Sequence, residues 1–468
     1  MEKAKLYASV EAHRALLTGL SDRIWDYAEL SMEETRSAAD YCRVLREQGF
    51  SVTEKLGGID TAFSGSFGSG RPMIGILGEF DALSGLSQQA GTAQRLPRPE
   101  TDCGHGCGHN LLGAASLGAA IAVKEAMEAG LLSGTVVFYG CPGEEGCAGK
   151  TFLAKAGLFR DLDAALCWHP SDVNEVTTGV NAATLQYIYT FEGTASHAAD
   201  APEMGRSALD AAELMNTGVQ YLREHMGRNH SVHYAFLDAG GVSPNVVQPR
   251  ASLVYMVRGD TVRSARRLLE RVHNIARGAA MMTDTTVHWK QVDGTASTLS
   301  NSVLERLLQE NLEAAPLPRY TPEERAFADA LKATYTPAAL PGLRTAEDPG
   351  LRAWIRKETG DGARSINDFV IPYAPSIAFY PGSTDVGDVS WLTPTAQFHA
   401  VTWTSGAPGH SWQNVSIGKT AIAHKGMLYA ADVLAGTAAD LLESPALLER
   451  ARVEFRDSAA EGYDSPLE

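Results

Sequence analysis

Short apolar runs alternate with a longer apolar segment in the first third of the chain. The runs PMIGILGEF at 72–80, GTVVFYG at 134–140 and DAALCW at 163–168 have the length and composition of buried strands. The segment NLLGAASLGAAIAVKEAMEAG at 110–130 is long enough to be a helix, and a second helix is expected near 148–157. Because strands that alternate with helices are typical of α/β folds, the pattern predicts a mixed, largely parallel sheet with helices on both faces.

Polar side chains follow each of the three predicted strands directly. Glu79 and Asp81 come at the end of the first strand, Glu144 and Glu145 after the second, and His169 after the third. Ligands of open α/β sheets bind at the carboxyl ends of the strands. The sequence therefore predicts a polar site at this edge of the sheet.

From about residue 182 the pattern changes to that of a smaller α+β domain. The predicted order β-α-β-β-α-β is the ferredoxin-like arrangement. The strands are TLQYIYTFEG, VHYAFLDA, ASLVYMVRGD and TTVHWKQV, and the helices span 204–226 and 261–280. We expect a domain at 182–290 that is inserted into a larger one formed by 1–181 and 291–468. Residues 313–380, rich in proline, alanine and charge, give no clear prediction.

Length and charge restrict the class of protein. A chain of 468 residues is too long for one core, so each of two domains can fold without a disulfide or structural metal. A net charge of −16 with no basic run argues against nucleic acid and acidic membranes as partners. Small molecules are therefore the expected ligands. The N-terminus lacks the apolar core of a signal peptide, and LLGAASLGAAIAV is too short to span a bilayer. We therefore expect a cytoplasmic protein.

The segment TDCGHGCGHNLLG at 101–113 alternates cysteine and histidine with glycine. Its side chains Cys103, His105, Cys107 and His109 could form a structural zinc clip, a redox pair or part of a catalytic metal site. Five of the six cysteines lie between residues 103 and 167, which in a reducing compartment indicates metal or redox chemistry rather than disulfides. A four-residue clip leaves the motifs GEEG and WHP without an explanation.

Seven motifs in order carry a resemblance to a known family. They are GEFDALSGL, GHGCGHNLLG, CPGEEGCAGK, WHP, GTASHAAD, GGVSPNVV and GAPGHSWQ. Together they resemble the aminoacylase and carboxypeptidase-like dinuclear metallohydrolases, in the amidohydrolase branch that includes auxin-conjugate hydrolases, over nearly the whole chain. The resemblance implies a zinc-exopeptidase-like fold, a lid and dimerisation domain at 182–290, and two divalent ions per subunit, Mn²⁺ or Zn²⁺.

The resemblance also implies a set of metal ligands and a base. Cys107 matches the ligand that bridges the two ions, and the other ligands are His109, Glu145, His169 and His410. Thiolate, imidazole and carboxylate groups around an open position allow two ions to ionise a water and polarise a carbonyl.

Three further residues match positions beside the metal ions. Glu144 matches the general base that passes a proton from the attacking water to the leaving amine. Asp81 matches a carboxylate that orients a ligand, and His105 matches a histidine beside the site.

In the inserted domain three residues match groups that contact the substrate. His197 resembles a lid histidine that crosses a dimer interface to stabilise the oxyanion. Asn245 and Arg258 match groups that hold the substrate carboxylate and oxyanion, although Arg258 is also compatible with an ordinary solvated arginine on a strand. The implied assembly is a homodimer or a heterodimer with a homologous chain.

The chain departs from the family pattern at two positions. Asn110 stands where many relatives have aspartate, and Glu79 stands where many have histidine, which casts doubt on a ligand from that strand. His410 is preferred as the last ligand over His424, which is expected to pack against the sheet, and over His399, which is expected in a strand or core. Cys103 has no assigned role.

The implied activity is hydrolysis of the amide that joins an acyl or aroyl group to an amino acid. The preferred substrate is p-aminobenzoyl-glutamate or another folate fragment. Auxin-type conjugate hydrolase and dipeptidase activities would use the same residues. The alternative of another class is a binding or regulatory protein that keeps the fold without catalysis, and the intact Glu144 with its five neighbouring ligands argues against it.

Overall fold

The computed structural model of the protein describes residues 2–336 and 348–468, which form two compact units. The first unit contains Met1–Gly179, Leu299–Ala378 and Val389–Gly462, and the second contains Val180–Thr298, Phe379–Asp388 and Tyr463–Glu468. Part of the unassigned segment 313–380, residues 337–347, lies outside the described residues.

The helices and strands of the described residues are numbered here in chain order. The helices are α1 (Lys3–Ala12), α2 (Arg14–Tyr27), α3 (Thr35–Glu47), α4 (His109–Glu128), α5 (Gly149–Lys155), α6 (Ala208–Leu222), α7 (Val262–Met282), α8 (Ser302–Ala314), α9 (Pro322–Lys332), α10 (Pro349–Glu358), α11 (Val386–Ser390), α12 (Trp412–Ile417), α13 (Ala421–Glu443) and α14 (Pro445–Ser458). The strands are β1 (Ser51–Glu54), β2 (Phe63–Ser69), β3 (Met73–Glu79), β4 (Gly134–Cys141), β5 (Ala164–Ser171), β6 (Glu175–Val176), β7 (Val180–Asn181), β8 (Ala183–Glu192), β9 (Ser231–Asp238), β10 (Arg250–Gly259), β11 (Thr286–Thr295), β12 (Phe379–Tyr380) and β13 (Thr395–Val401).

The first unit is built on a seven-stranded sheet in the order β1-β2-β4-β3-β5-β13-β6. Strands β4, β3, β5 and β13 are parallel, and the pairs at the two edges are antiparallel. Ile74 and Ile76 of β3 belong to the same buried cluster as helices α4 and α13, whereas Gly75 faces Leu162 on the other side. The predicted mixed, largely parallel α/β sheet is confirmed.

Helix α4 packs so closely that its small residues are required. A Cβ at Gly113 would lie 2.7 Å from the Glu79 carbonyl oxygen and would also collide with the Tyr41 hydroxyl. A Cβ at Gly118 would lie 2.6 Å from Leu17 of α2. The glycine and alanine content of 110–130 therefore reflects a helix that is buried against β3 and α2.

Among residues 2–336 and 348–468, none of the helices combines the length and apolarity that crossing a bilayer requires.

The second unit contains the predicted ferredoxin-like arrangement. Its sheet is antiparallel in the order β11-β8-β10-β9, and α6 and α7 cover the face formed by Leu253, Tyr255 and Val257. Its limits differ from the predicted 182–290. Strand β11 stays paired with β8 as far as Thr295, so the unit extends past residue 290.

Two short segments predicted to belong to the larger domain lie in the second unit instead. Residues 379–388 join it because β12 pairs in parallel with β7. Residues 463–468 join it because the Tyr187 hydroxyl donates to Glu468 at 2.7 Å and Gln291 donates to the Pro466 carbonyl at 2.7 Å. These segments are too short to show a hydrophobic periodicity, so the sequence pattern did not distinguish them from the larger domain.

The segment 313–380 contains two helices that begin with clear capping signals. Thr321 and Glu324 form a capping box at α9, with a proline at the first helical position. Asp348 accepts a hydrogen bond from the Leu351 amide at the start of α10. The sequences TPEE at 321–324 and DPG at 348–350 therefore indicate where these two helices begin, although the apolar faces of the helices are short.

We expect Gly113→Ala to destabilise the protein by about 1–3 kcal/mol, because the added methyl group must displace the β3 backbone or the Tyr41 side chain. Urea unfolding at a fixed metal concentration measures the effect. Gly19→Ala in α2 is the matched control, since the nearest atom to its Cβ is Arg23 Nη1 at 3.7 Å. The control should be neutral or slightly stabilising. A Gly113→Ala protein as stable as the control would contradict the packing argument.

Candidate metal centre

The ends of the parallel strands bring the predicted polar residues to one edge of the sheet. Glu79 is the last residue of β3, and Asp81 follows two residues later. Glu144 and Glu145 lie in the turn that follows β4, and His169 lies near the end of β5. The parallel pairing of β3 with β4 and β5 therefore places three separate segments of sequence beside each other.

The alternating glycines let the segment at 103–109 press against its neighbours. A Cβ at Gly104 would lie 2.5 Å from the Leu86 carbonyl oxygen, and one at Gly106 would lie 2.5 Å from the Leu86 side chain. Gly108 has a φ of +74° and precedes α4, with Pro170 only 3.0 Å from its Cβ position. The glycines fix this loop so that Cys107 and His109 reach the strand ends.

Three pairs of side chains have potential ligand atoms close together. Nε2 of His169 lies 3.3 Å from Sγ of Cys107, and Nε2 of His410 lies 3.4 Å from Oε2 of Glu145. Nε2 of His109 lies 3.9 Å from Oε1 of Glu145. The structure thus brings together all five side chains that the resemblance implied as ligands, in groups whose donor atoms lie within 4.8 Å of one another.

Asp81 connects these segments. Its Oδ1 lies 2.8 Å from Nδ1 of His109, and its Oδ2 accepts from the Ser31 hydroxyl at 2.8 Å and from the Glu145 amide at 2.9 Å. Burial alone would raise the pKa of Asp81, but the hydrogen bond and charge of His109 outweigh it and lower the pKa to about 2. The ionised carboxylate holds a proton on Nδ1 of His109, which leaves Nε2 as the ring nitrogen that a metal ion can bind.

The electrostatics of the cluster couple metal binding to proton release. Burial, reinforced by the negative charge of Glu145, raises the pKa of the Cys107 thiol. Burial likewise raises the pKa of Glu145. A metal ion binds the thiolate and the carboxylate rather than their protonated forms, so ligation must displace these protons.

The buried atoms of the site fit divalent metal ions. His109 Nε2, Glu79 Oε2 and Glu145 Oε1 are buried without a hydrogen-bond partner. Burying an acceptor without a hydrogen bond reduces the stability of the fold, and a bound cation removes this penalty. The mixture of thiolate, imidazole and carboxylate is the ligand chemistry of zinc and related transition metals.

His105 and Cys103 lie apart from these ligand groups. The His105 ring donates from Nε2 to the Ile24 carbonyl of α2 at 3.0 Å, and burial lowers its pKa to about 4, which keeps the ring neutral. The Cys103 thiol donates to Asp102 at 3.2 Å and packs with Ala28 and Ala82. Within the described residues, the four side chains of the CGHGCGH segment therefore do not form one zinc clip.

The contacts of three other residues discussed in the sequence analysis are defined in the structure. Asn110 donates to the Ser21 hydroxyl at 2.9 Å and to the Gly418 carbonyl at 3.1 Å, and an ionised aspartate could not donate to that carbonyl. His424 contacts Asp22 at 2.9 Å, away from the ligand groups. His399 lies on β13 beside His169, with the two ring centres 6.0 Å apart.

The residues implied for substrate binding lie in the second unit. Nδ1 of His197 accepts from the amides of Ala199 and Asp200 at 3.2 and 3.1 Å, so the ring proton is on Nε2. The Asn245 carbonyl accepts from the Ala198 amide at 2.9 Å, which holds the two predicted loops together.

Arg258 lies in an open groove of the second unit. Its Nη1 donates to the Pro381 carbonyl at 3.0 Å and to the Ser383 hydroxyl at 3.1 Å. The groove has a volume of about 410 Å³ and is also lined by Gln186, His233 and Met256. Arg258 is therefore a half-buried, hydrogen-bonded group rather than a freely solvated one.

The sequence analysis missed two charged residues of the first unit that lie at this site. Nζ of Lys150 lies 2.6 Å from Oε1 of Glu79, and both side chains are buried. Oε1 of Glu34 accepts from the Gly143 amide at 2.8 Å. Lys150 lies in the motif CPGEEGCAGK, but a lysine at the start of a helix ordinarily indicates an exposed residue.

Comparison with known proteins places the chain in a family. Residues 76–400 match the model of peptidase family M20/M25/M40. The chain is 43% identical to one of the subunits of the p-aminobenzoyl-glutamate hydrolase of Escherichia coli (strain K12), over 98% of this chain and 96% of that protein. It is 28% identical to the Xaa-Arg dipeptidase of Mus musculus, over 94% of this chain and 89% of that protein.

Solved structures show the same fold. An aminobenzoyl-glutamate utilization protein from Klebsiella pneumoniae matches with a TM-score of 0.59 at 15% identity, covering 92% of this chain and 97% of that one. A dinuclear metal-binding peptidase of the M20 family from Bacillus subtilis matches with a TM-score of 0.56 at 17% identity, covering 92% and 99%. The chain belongs to the M20/M25/M40 peptidase family and is a metal-dependent hydrolase of amide bonds.

Proposed function

We propose that the protein hydrolyses the amide bond between an aroyl group and an amino acid, with p-aminobenzoyl-glutamate or a related folate fragment as substrate. The observation that carries this proposal is the 43% identity to the Escherichia coli p-aminobenzoyl-glutamate hydrolase chain over nearly the whole length. The convergence of thiolate, imidazole and carboxylate side chains at one sheet edge supports it.

The metal centre would consist of five side chains of the first unit. The side chains that would hold two divalent ions are those of Cys107, His109, Glu145, His169 and His410, with Cys107 common to two of the ligand groups. Bound there, two Mn²⁺ or Zn²⁺ ions would lower the pKa of a water molecule and polarise the substrate carbonyl. Asp81 holds the His109 ring in its orientation through the 2.8 Å contact.

Glu144 would act as the general base. Its carboxylate lies in one group with the side chains of Glu79 and His109, at the edge of the ligand cluster. It would take a proton from the attacking water and give it to the amine nitrogen as the amide C–N bond breaks. The second proton of the water then passes from the new carboxyl group to the amine, so that the products are a carboxylate and an ammonium group. Glu145 points to His410 and Cys107, so the neighbouring glutamates serve different purposes.

The second unit would supply the groups that contact the substrate. His197 would donate its Nε2 proton to the oxyanion of the tetrahedral intermediate. Asn245, whose backbone binds the loop of His197, would assist this contact. Arg258 would bind the substrate carboxylate, since a guanidinium group pairs well with a carboxylate.

We further propose that the active form is a dimer in the cytoplasm, either a homodimer or a heterodimer with a homologous chain. A second chain of the Escherichia coli hydrolase, named as a different subunit of it, is also similar to this protein, at 29% identity over 51% of the sequence. The six cysteines, all within the described residues, form no disulfide with one another, which suits a reducing compartment. The similarity to the Xaa-Arg dipeptidase favours dipeptide hydrolysis as the second candidate activity.

Hydrolysis of a substrate panel tests the proposed function. Metal-stripped protein is reloaded with Mn²⁺ or Zn²⁺ and given p-aminobenzoyl-glutamate, indole-3-acetyl-aspartate and Xaa-Arg dipeptides. We expect the highest kcat/KM for p-aminobenzoyl-glutamate, measured from released p-aminobenzoate. A higher kcat/KM for the dipeptides would replace this proposal by the second candidate.

Glu144→Gln is the control for the chemistry in this assay. It should lower kcat by about 10²–10⁴-fold with metal content unchanged, because an amide cannot accept the proton. Activity within about tenfold of the parent would exclude Glu144 as the base.

We expect Cys107→Ser to lower the metal content measured by elemental analysis, because a serine hydroxyl is a far weaker anionic ligand than a thiolate. Cys103→Ser is the matched control in the same loop. Its thiol contacts Asp102 and lies outside the ligand groups, so metal content should be retained. Equal loss in the two variants would instead implicate both cysteines in metal binding.

His197→Ala should reduce kcat while metal content stays unchanged, because the substitution removes a hydrogen-bond donor to the oxyanion and none of the proposed metal ligands. If His197 acts across a dimer interface, mixing the His197→Ala and Glu144→Gln proteins recreates one intact site in each mixed dimer. Recovered activity after dissociation and reassociation is the expected result. Mixed dimers that form by mass spectrometry but stay inactive would show that His197 does not act across the interface.

A further inference from the structure

Two buried ligand atoms face each other beside the five implied ligands. Oε2 of Glu79 lies 3.2 Å from Nε2 of His109, and neither atom has a hydrogen-bond partner. The proton of the His109 ring is on Nδ1, where Asp81 holds it. When the ring is neutral, with its proton on Nδ1, Nε2 of His109 and Oε2 of Glu79 are both acceptors that a cation between them would satisfy.

The separation of this pair matches that of two ligands bound to one cation. Ligand atoms about 2.0–2.2 Å from a common ion, at roughly 100° to each other, are about 3.2 Å apart. The pairs Cys107 with His169 and Glu145 with His410 show similar separations of 3.3 and 3.4 Å. The Glu79 and His109 pair is the third such contact in the same cluster.

Lys150 explains why this carboxylate is held in a buried position. Its Nζ lies 2.6 Å from Oε1 of Glu79, and both side chains are at most 2% exposed. A buried lysine needs a paired carboxylate, and the ammonium group offsets the charge that an added carboxylate brings to the site. The pairing uses Oε1 and leaves Oε2 directed at His109.

We propose that Glu79 is a sixth ligand of the metal centre and that Lys150 is the positioning residue that holds it. The proposal rests on the metal-dependent hydrolase function, but it concerns a position at which the sequence pattern argued against a ligand. In this arrangement β3 contributes directly to ion binding. A sixth donor also raises the affinity for the ion that His109 binds.

Metal affinity is the first test, and it is independent of turnover. Glu79→Gln should weaken the binding of one ion by at least about tenfold in competition with a chelator, so that dialysed protein retains about one ion per chain instead of two. Glu305→Gln is the matched control, because Glu305 is also a buried glutamate of the first unit but accepts from the Tyr373 hydroxyl and lies outside the ligand groups. Unchanged affinity in Glu79→Gln would overturn the proposal.

A double variant separates ligation from simple charge pairing. Glu79→Gln removes the charge that Glu79 places beside Lys150, whereas Glu79→Gln with Lys150→Met removes both charges of this pair. If Glu79 is a ligand, the double variant folds and still binds one ion weakly. Recovery of both ions at parental affinity would show that Glu79 serves only to neutralise Lys150.

A crystal structure of the zinc-loaded parent protein decides the question without any variant. We expect a Glu79 oxygen within about 2.0–2.2 Å of an ion. A distance beyond about 3 Å to both ions would overturn the proposal while leaving the hydrolase function intact, because substrate hydrolysis is measured separately. A parent protein that binds ions through Glu79 but hydrolyses none of the substrate panel would contradict the proposed function alone.

Discussion

The carboxylate of Asp81 is the contact on which the metal centre depends. It receives a ring nitrogen of His109, the hydroxyl of Ser31 and the amide of Glu145, and these groups come from the start of α4, the loop before α3 and the turn after β4. Because all three hydrogen bonds favour the ionised form, the carboxylate stays negative although it is fully buried. One side chain thereby holds the proton of His109 on Nδ1 and connects the segments that carry the other proposed ligands.

Close packing of the backbone supplies the second constraint. Gly78 and Gly113 allow β3 and α4 to approach each other, since a Cβ on either would collide with its neighbours. The proposed ligand His109 begins α4, and Glu79 ends β3, so the same approach that buries the helix brings their side chains within 3.2 Å. The spacing of His109 and Glu79 therefore depends on the packing of β3 against α4, and larger residues at Gly78 or Gly113 would disturb both.

The sequence predicted the elements that have a strong hydrophobic pattern and the residues that lie in recognisable motifs. Helix α4 begins one residue before the predicted 110–130, and β3, β4 and β5 begin within a residue of their predicted runs. The pairing of Lys150 with Glu79 could not be predicted, because the two residues are far apart in the chain and only the sheet brings them together. The short segments at 379–388 and 463–468 were misplaced for the same reason, since pairing partners far away in the chain decide where they lie.

The turn that follows β4 shows how adjacent glutamates can hold separate positions. The amide of Gly143, before Glu144, donates to Glu34, and the amide of Glu145, after it, donates to Asp81. Burial and the charge of Asp81 raise the pKa of Glu34 to about 7, yet its Oε1 can accept this hydrogen bond in either protonation state. The backbone on both sides of Glu144 is therefore fixed by buried carboxylates. A fixed turn directs Glu145 towards His410, while the carboxylate of Glu144 stays beside His109. If Glu144 is the base, as proposed, a carboxylate held in this way loses little entropy when it accepts a proton.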